Sequence, residues 1–206
     1  MRLQQYQILD KKKLDAQIRS FGKNGEIENA CATYFLLVFA HRADRVTHNS
    51  MITASGNNHR IDLAERAFCI ALERSQTDVV TFASMITAAG NNHRIDLAER
   101  AFCIALAKNQ INAVTFSSMI TASGKNHRID LAERAFCMAF EKNKVSVATH
   151  INIRSARQKS PMTLAAPVAP TTSRYHHNPY SFLQSRLFFT LPSSDCNAVS
   201  ESFLSY

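Results

Sequence analysis

Beginning at Ile61, apolar residues fall at Ile61, Ala64, Phe68, Ala71 and Leu72, at steps of three, four, three and one. Charged and polar residues fill most of the gaps, so the pattern lays one apolar stripe along a helix. The same steps restart at Ile95 and at Ile129. Ahead of each stripe stands the phrase V-T-x-x-S-M-I-T-A, opening at Val46, Val80 and Val114 with a spacing of 34 residues. Each repeat therefore predicts two helices. Helix A is expected to start at Thr47 as N-cap, with Val46 and Met51 as a hydrophobic staple, and to end near Ser55 with Gly56 as the left-handed terminator. Helix B is expected to open on an acidic capping box, Asp62 with Glu65. Ala64 and Ala71 are small enough for close approach, while Phe68 fills the gap between helices.

Neither helix can stand alone at this length. A fixed 34-residue period reads as a stacked array in which each layer buries its neighbour's apolar face. Residues 57–72 recur letter for letter at 91–106, and again with three changes at 125–140. A diverged copy lies at 12–45, where Gly22, Asn24, Ile27 and Ala30 fall in register with Gly56, Asn58, Ile61 and Ala64. The expected fold is all-α: a right-handed α-solenoid of stacked helical hairpins followed by a disordered C-terminal tail. The divisions are residues 1–11 as a lead-in, 12–151 as the array (repeats at 12–45, 46–79, 80–113 and 114–147), and 152–206 as a low-complexity tail.

Composition sharpens this layout. All five glycines fall within the repeats, and all five prolines lie between Pro161 and Pro192. Continuous helices require that absence of proline. No apolar run reaches membrane-spanning length, and no secretory leader opens the chain. An intracellular location, cytoplasmic or in an organelle, is therefore expected. Cys69, Cys103 and Cys137 recur once per repeat without any C-x-x-C pair, which reads as small buried residues in a reducing compartment. The thrice-repeated His-Arg-x-Asp turn is a poor candidate for catalysis or metal binding, because an active site is a single constellation. No metal, cofactor or small-molecule substrate is expected. The net charge of +8 permits a polyanionic partner.

The phrase D-V-V-T-F-x-S-M-I-T-A-x-G-x-N followed by I-D-L-A-E-R-A-F resembles the pentatricopeptide repeat, over four copies. The tetratricopeptide pattern fits less well, since the chain has no Trp, its glycines follow helix A, and no repeat contains Pro. The resemblance implies a non-catalytic binder of single-stranded RNA that reads one base per repeat through two or three side chains. It places the base-clamping valines at Val46, Val80 and Val114. The edge-reading pairs become Asn49 with Asp78, Ala83 with Asn112, and Ser117 with Ser146. Asn49 with Asp78 is the family's uridine-preferring pair. Lys125, directly after its glycine, stands where the family approaches RNA phosphate. Asp15 with Asp44 departs from the pattern, and that copy is expected to cap the array. The alternative reading is a tetratricopeptide-like scaffold that holds a protein partner's peptide in the same groove.

Overall fold

A computed structural model describes residues 10–159, and every regular element among them is an α-helix. In order these are α1 (Lys11–Asn24), α2 (Ile27–Phe39), α3 (Arg45–Asn57), α4 (Ile61–Glu73), α5 (Val79–Asn91), α6 (Ile95–Ala107), α7 (Ala113–Lys125), α8 (Ile129–Glu141) and α9 (Val147–Lys159). Odd-numbered helices are the A helices and even-numbered ones the B helices. Each A helix packs on its own B helix and directly on the next A helix, while each B helix touches the next A helix more lightly. The A helices thus form the tighter row.

Helix starts differ from expectation. The N-cap of α3 is Asp44, whose carboxylate accepts from the Thr47 amide while the Thr47 hydroxyl returns a bond. Asp78 with Thr81 and Asn112 with Thr115 repeat this box at α5 and α7. Thr47 is therefore the third helical residue and is fully buried, and Val46 lies inside the helix instead of stapling it. An Asp or Asn two residues before the valine outcompetes Thr as cap because its longer side chain reaches the free amides of the first turn. Helix B has no side-chain cap: Arg60 occupies the position, and Asp62 pairs with Arg60 instead of forming a box with Glu65. Asp62 still lies in the first turn, where the helix dipole favours an anion.

The glycines also have another task than terminating helices. Gly56 sits within α3, and the left-handed residue is His59 at φ 58°, whose neighbour Arg60 donates its amide to the Ser55 carbonyl. His93 and His127 do the same, and only Gly25 serves this role as a glycine. A Cβ on Gly56 would lie 2.5 Å from the Ala88 Cβ of the next A helix, and Gly22, Gly90 and Gly124 meet Ala54, Ala122 and Ala156 in the same way. Glycine here permits backbone-close packing between repeats.

The interfaces share two further devices. Asn92 donates to the Gly56 carbonyl at 2.9 Å and to Ala88 at 2.7 Å, and Asn58 and Asn126 repeat this clamp. An edge-on aromatic pair joins each B helix to the next A helix: Tyr34 with His48, Phe68 with Phe82, Phe102 with Phe116, and Phe136 with His150.

The array does not stop at residue 151. Helix α9 continues to Lys159 and packs on α7 as a fifth A helix, with Thr149, Ile153 and Ala156 buried. These residues stand 34 positions after Thr115, Met119 and Ala122, a register hidden because only the small and apolar contacts persist. The lead-in through residue 9 and the expected tail from 160 onward lie outside the described residues. The repeat cysteines are half-buried, and Cys137 is exposed, so they line the outer side of the B helices instead of filling the core.

Candidate nucleic-acid interface

The capping boxes decide where the base-reading candidates stand. Because α3, α5 and α7 begin two residues earlier than Thr, Val46, Val80 and Val114 are second-position helical residues and project outward, 52%, 58% and 59% exposed. Three residues on, Ala83 is buried, and Asn49 and Ser117 are half-buried on the same side of their helices. The last residue of each repeat is the N-cap of the next A helix. Asp78 Oδ1 accepts the Thr81 amide and hydroxyl, both at 2.9 Å. Asn112 Oδ1 accepts the amides of Val114 and Thr115 at 2.9 and 3.1 Å. Ser146 caps α9 by accepting the Thr149 amide at 3.2 Å. Capping fixes each of these side chains at the start of its helix.

The proposed pairs are brought together. Asn49 stands beside the Asp78 carboxylate and helps to lower its pKa, while its own Oδ1 is buried without a hydrogen-bond partner. Burial alone would raise the Asp78 carboxyl, but the Thr81 amide and hydroxyl, the Asn49 amide and the field of Arg45 outweigh it and hold the group below its ordinary value. Asp78 is accordingly an anion at neutral pH. Ser117 meets Ser146 indirectly, each hydroxyl bonding the Thr149 hydroxyl, at 3.2 and 2.8 Å. In the first repeat Lys11 bridges Asp15 and Asp44 at 2.7 and 2.9 Å, and Asp15 also accepts the Thr47 hydroxyl. That arrangement neutralises the acidic pair and closes it off.

Val80, Ala83, Asn112 and Val114 line one open cleft of about 360 Å³ between α3, α5 and α7. Its other walls include Thr53, Asn57, Ser84, Thr87, Asn91 and Ser118. Two valines from successive repeats face an apolar slot backed by a small residue, with amide and hydroxyl groups along the helix A rows. Such a slot accepts a flat ring and offers hydrogen bonds to its edge. Sequence reasoning missed Thr53, Thr87 and Asn91, although Val80, Ala83, Ser84, Thr87 and Asn91 already lie on one helical face at steps of three, one, three and four.

Lys125 stands at the Asn91 edge of this slot. It lies eleven residues beyond Val114, roughly 16 Å along the helix, and its ammonium donates to Asn91 Oδ1 at 2.6 Å. The turn arginines are engaged by acids two residues on: Arg60 with Asp62, Arg94 with Asp96, and Arg128 with Asp130, at 2.7–3.0 Å. These pairs are exposed, and binding strength in such pairs is small enough for a phosphate to compete. Among the described residues no group of three or more His, Cys, Asp or Glu side chains is placed to hold a metal ion, and no helix is long and apolar enough to cross a membrane.

Residues 114–143 match the family model described as PPR repeat. No curated protein matches the chain. The matched segment spans α7 and α8, and the two copies before it carry the same phrase in the same register. Stacked A–B hairpins, capped A helices and outward valines recur in those copies as they do in the matched segment.

Proposed function

We propose that the chain binds single-stranded RNA along its row of A helices, one base per repeat, without catalysis of its own. The observation that carries this reading is the cleft that unites Val80, Ala83, Asn112 and Val114. A base seated there stacks between the valines of adjacent repeats and presents its edge to Asn112. One layer earlier, Val46 and Val80 flank the Asn49–Asp78 pair, which the family resemblance assigns to uridine. An ionised Asp78 suits a donor on the base edge, and Asn49 stands beside it. Ser117 with Ser146 offers hydroxyls alone. Lys125 sits where it can reach phosphate.

Affinity should be modest. Stacking contributes roughly 1–3 kcal/mol per base, and only three repeats keep the valine. The test is filter binding of homopolymer RNAs at two salt concentrations, followed by competition with RNAs varied at single positions. Asn49→Ser should shift one position from uridine toward guanine at a discrimination of about 1–3 kcal/mol. Arg60→Ala should weaken every RNA alike and flatten the salt dependence. Uniform weakening by Asn49→Ser, or binding of an extended peptide in place of RNA, would sink the base-reading assignment.

A further inference from the structure

Helix α2 is apolar on both sides. Its inward face buries Ile27, Ala30, Tyr34, Leu37 and Val38. On the outward face Ala32, Phe35, Leu36 and Phe39 follow at steps of three, one and three, a second stripe along the same helix. Leu36 is 51% and Phe39 77% exposed, and Phe35 lies beneath the Arg66 guanidinium, 4.6 Å from its ring centre. A helix that is apolar all round is normally covered.

The other repeats show that the scaffold does not require this stripe. The equivalent outward positions hold Arg66, Cys69, Ile70 and Glu73 in α4, Arg100, Cys103, Ile104 and Ala107 in α6, and Arg134, Cys137, Met138 and Glu141 in α8. Only in the first repeat do Ala and Phe replace the charged arginine and the glutamate or alanine at the ends of the row. Phe140, Val147 and Ile151 are also exposed, but they lie at the C-terminal end of the described residues.

We propose that this stripe is a self-association surface, on which α2 of one copy packs antiparallel against α2 of a second copy about a two-fold axis. The row is self-complementary in that arrangement. An axis between positions 35 and 36 sets the small Ala32 of each copy opposite the large Phe39 of the other, and brings Phe35 against Leu36. The charges choose the direction. Glu26 and Glu28 are exposed at the start of α2, Glu28 within 3.5 Å of Arg60, and Arg42 follows its end. Antiparallel packing brings these opposite charges, and opposite ends of the helix dipoles, together. A two-fold contact closes at two copies. It uses the B side only and leaves the A-helix cleft open. One helix pair buries less than the ~1,600 Å² of a standard interface, so the dimer forms in the micromolar range.

Sedimentation velocity of the full chain from about 1 to 200 µM spans that range. The natural sequence should pass from monomer to dimer. Ala32→Arg with Phe39→Glu should remain monomeric throughout, and both substitutions should fold because α4 and α8 carry those residues at the same positions. Should the pair lower helicity by circular dichroism, Phe39→Glu alone is read in its place. Ile151→Glu, at the open end of the array, should leave the dimer intact. A natural chain that stays monomeric, a dimer that survives the α2 substitutions, or one abolished by Ile151→Glu overturns the proposal.

Discussion

Asn92 bonds the preceding repeat through both ends of its amide, donating to the Gly56 carbonyl while its oxygen meets the His59 ring at 3.1 Å. Asn92→Ala removes these bonds and the one to Ala88, and should cost about 1–3 kcal/mol in urea unfolding; no measurable change would show that water replaces them. Gly90→Ala should be at least as costly, about 1–3 kcal/mol, because its methyl would press on Ala122, whose Cα would stand 2.8 Å away. His48 tests the same interface by pH. It is fully buried between the Tyr34 hydroxyl and Gln76, at 2.9 and 2.8 Å, and burial pushes its pKa below the ordinary histidine value despite the Gln76 bond. The folded state therefore disfavours the protonated ring. Stability should be full above the unfolded value of about 6.5 and fall as pH drops below it. Tyr34→Phe with His48→Phe, which copies the Phe68–Phe82 contact, should remove that fall between thermal melts at pH 7.5 and 5. An unchanged pH dependence would place its origin elsewhere.

Asn112 both caps its A helix and lines the cleft, and Asp78 caps α5 one repeat earlier. These roles separate on substitution. Asp78→Asn should keep the cap, since Asn112 caps α7 with the same box, and leave melting nearly unchanged. Its effect should appear in RNA preference alone. Asp78→Ala should lose the cap as well, at about 0.5–2 kcal/mol. If Asp78→Asn destabilises as much as Asp78→Ala, the charge, and not the capping geometry, holds the helix start. The helix periods themselves were legible, because apolar stripes at steps of three and four have few other meanings. The exact starts were not. Asp44, Thr47 and Val46 each satisfy a local start rule, and only the packing of Thr47 against Asp15 on the neighbouring A helix settles which applies.

At the scale of the whole array, stability should accumulate interface by interface. A chain ending at residue 159 should melt about 3–12 °C above one ending at 146, since burying a side chain such as Ile153 contributes roughly 1.5–3 kcal/mol and each kcal/mol moves a domain of this size by roughly 2–4 °C. Equal melting points would mean that α9 adds nothing to α7. The repeat period and the A–B alternation were written in the sequence, because three near-copies in register expose them directly; the proposed valine-led reading positions came from the family resemblance. The fifth A helix was hard to see there, since beyond Thr149, His150 and Ala156 little of the repeated phrase persists. The work of the glycines was not visible there. A glycine beside a helix end satisfies the rule for a terminator equally well, and its meaning depends on a methyl group 32 residues away. Local propensity is carried by neighbours in the chain, and the sequence determined it alone. Which backbone may approach which, and which face stays open to a base, depends on contacts between residues a full repeat apart, and only the tertiary structure decided them.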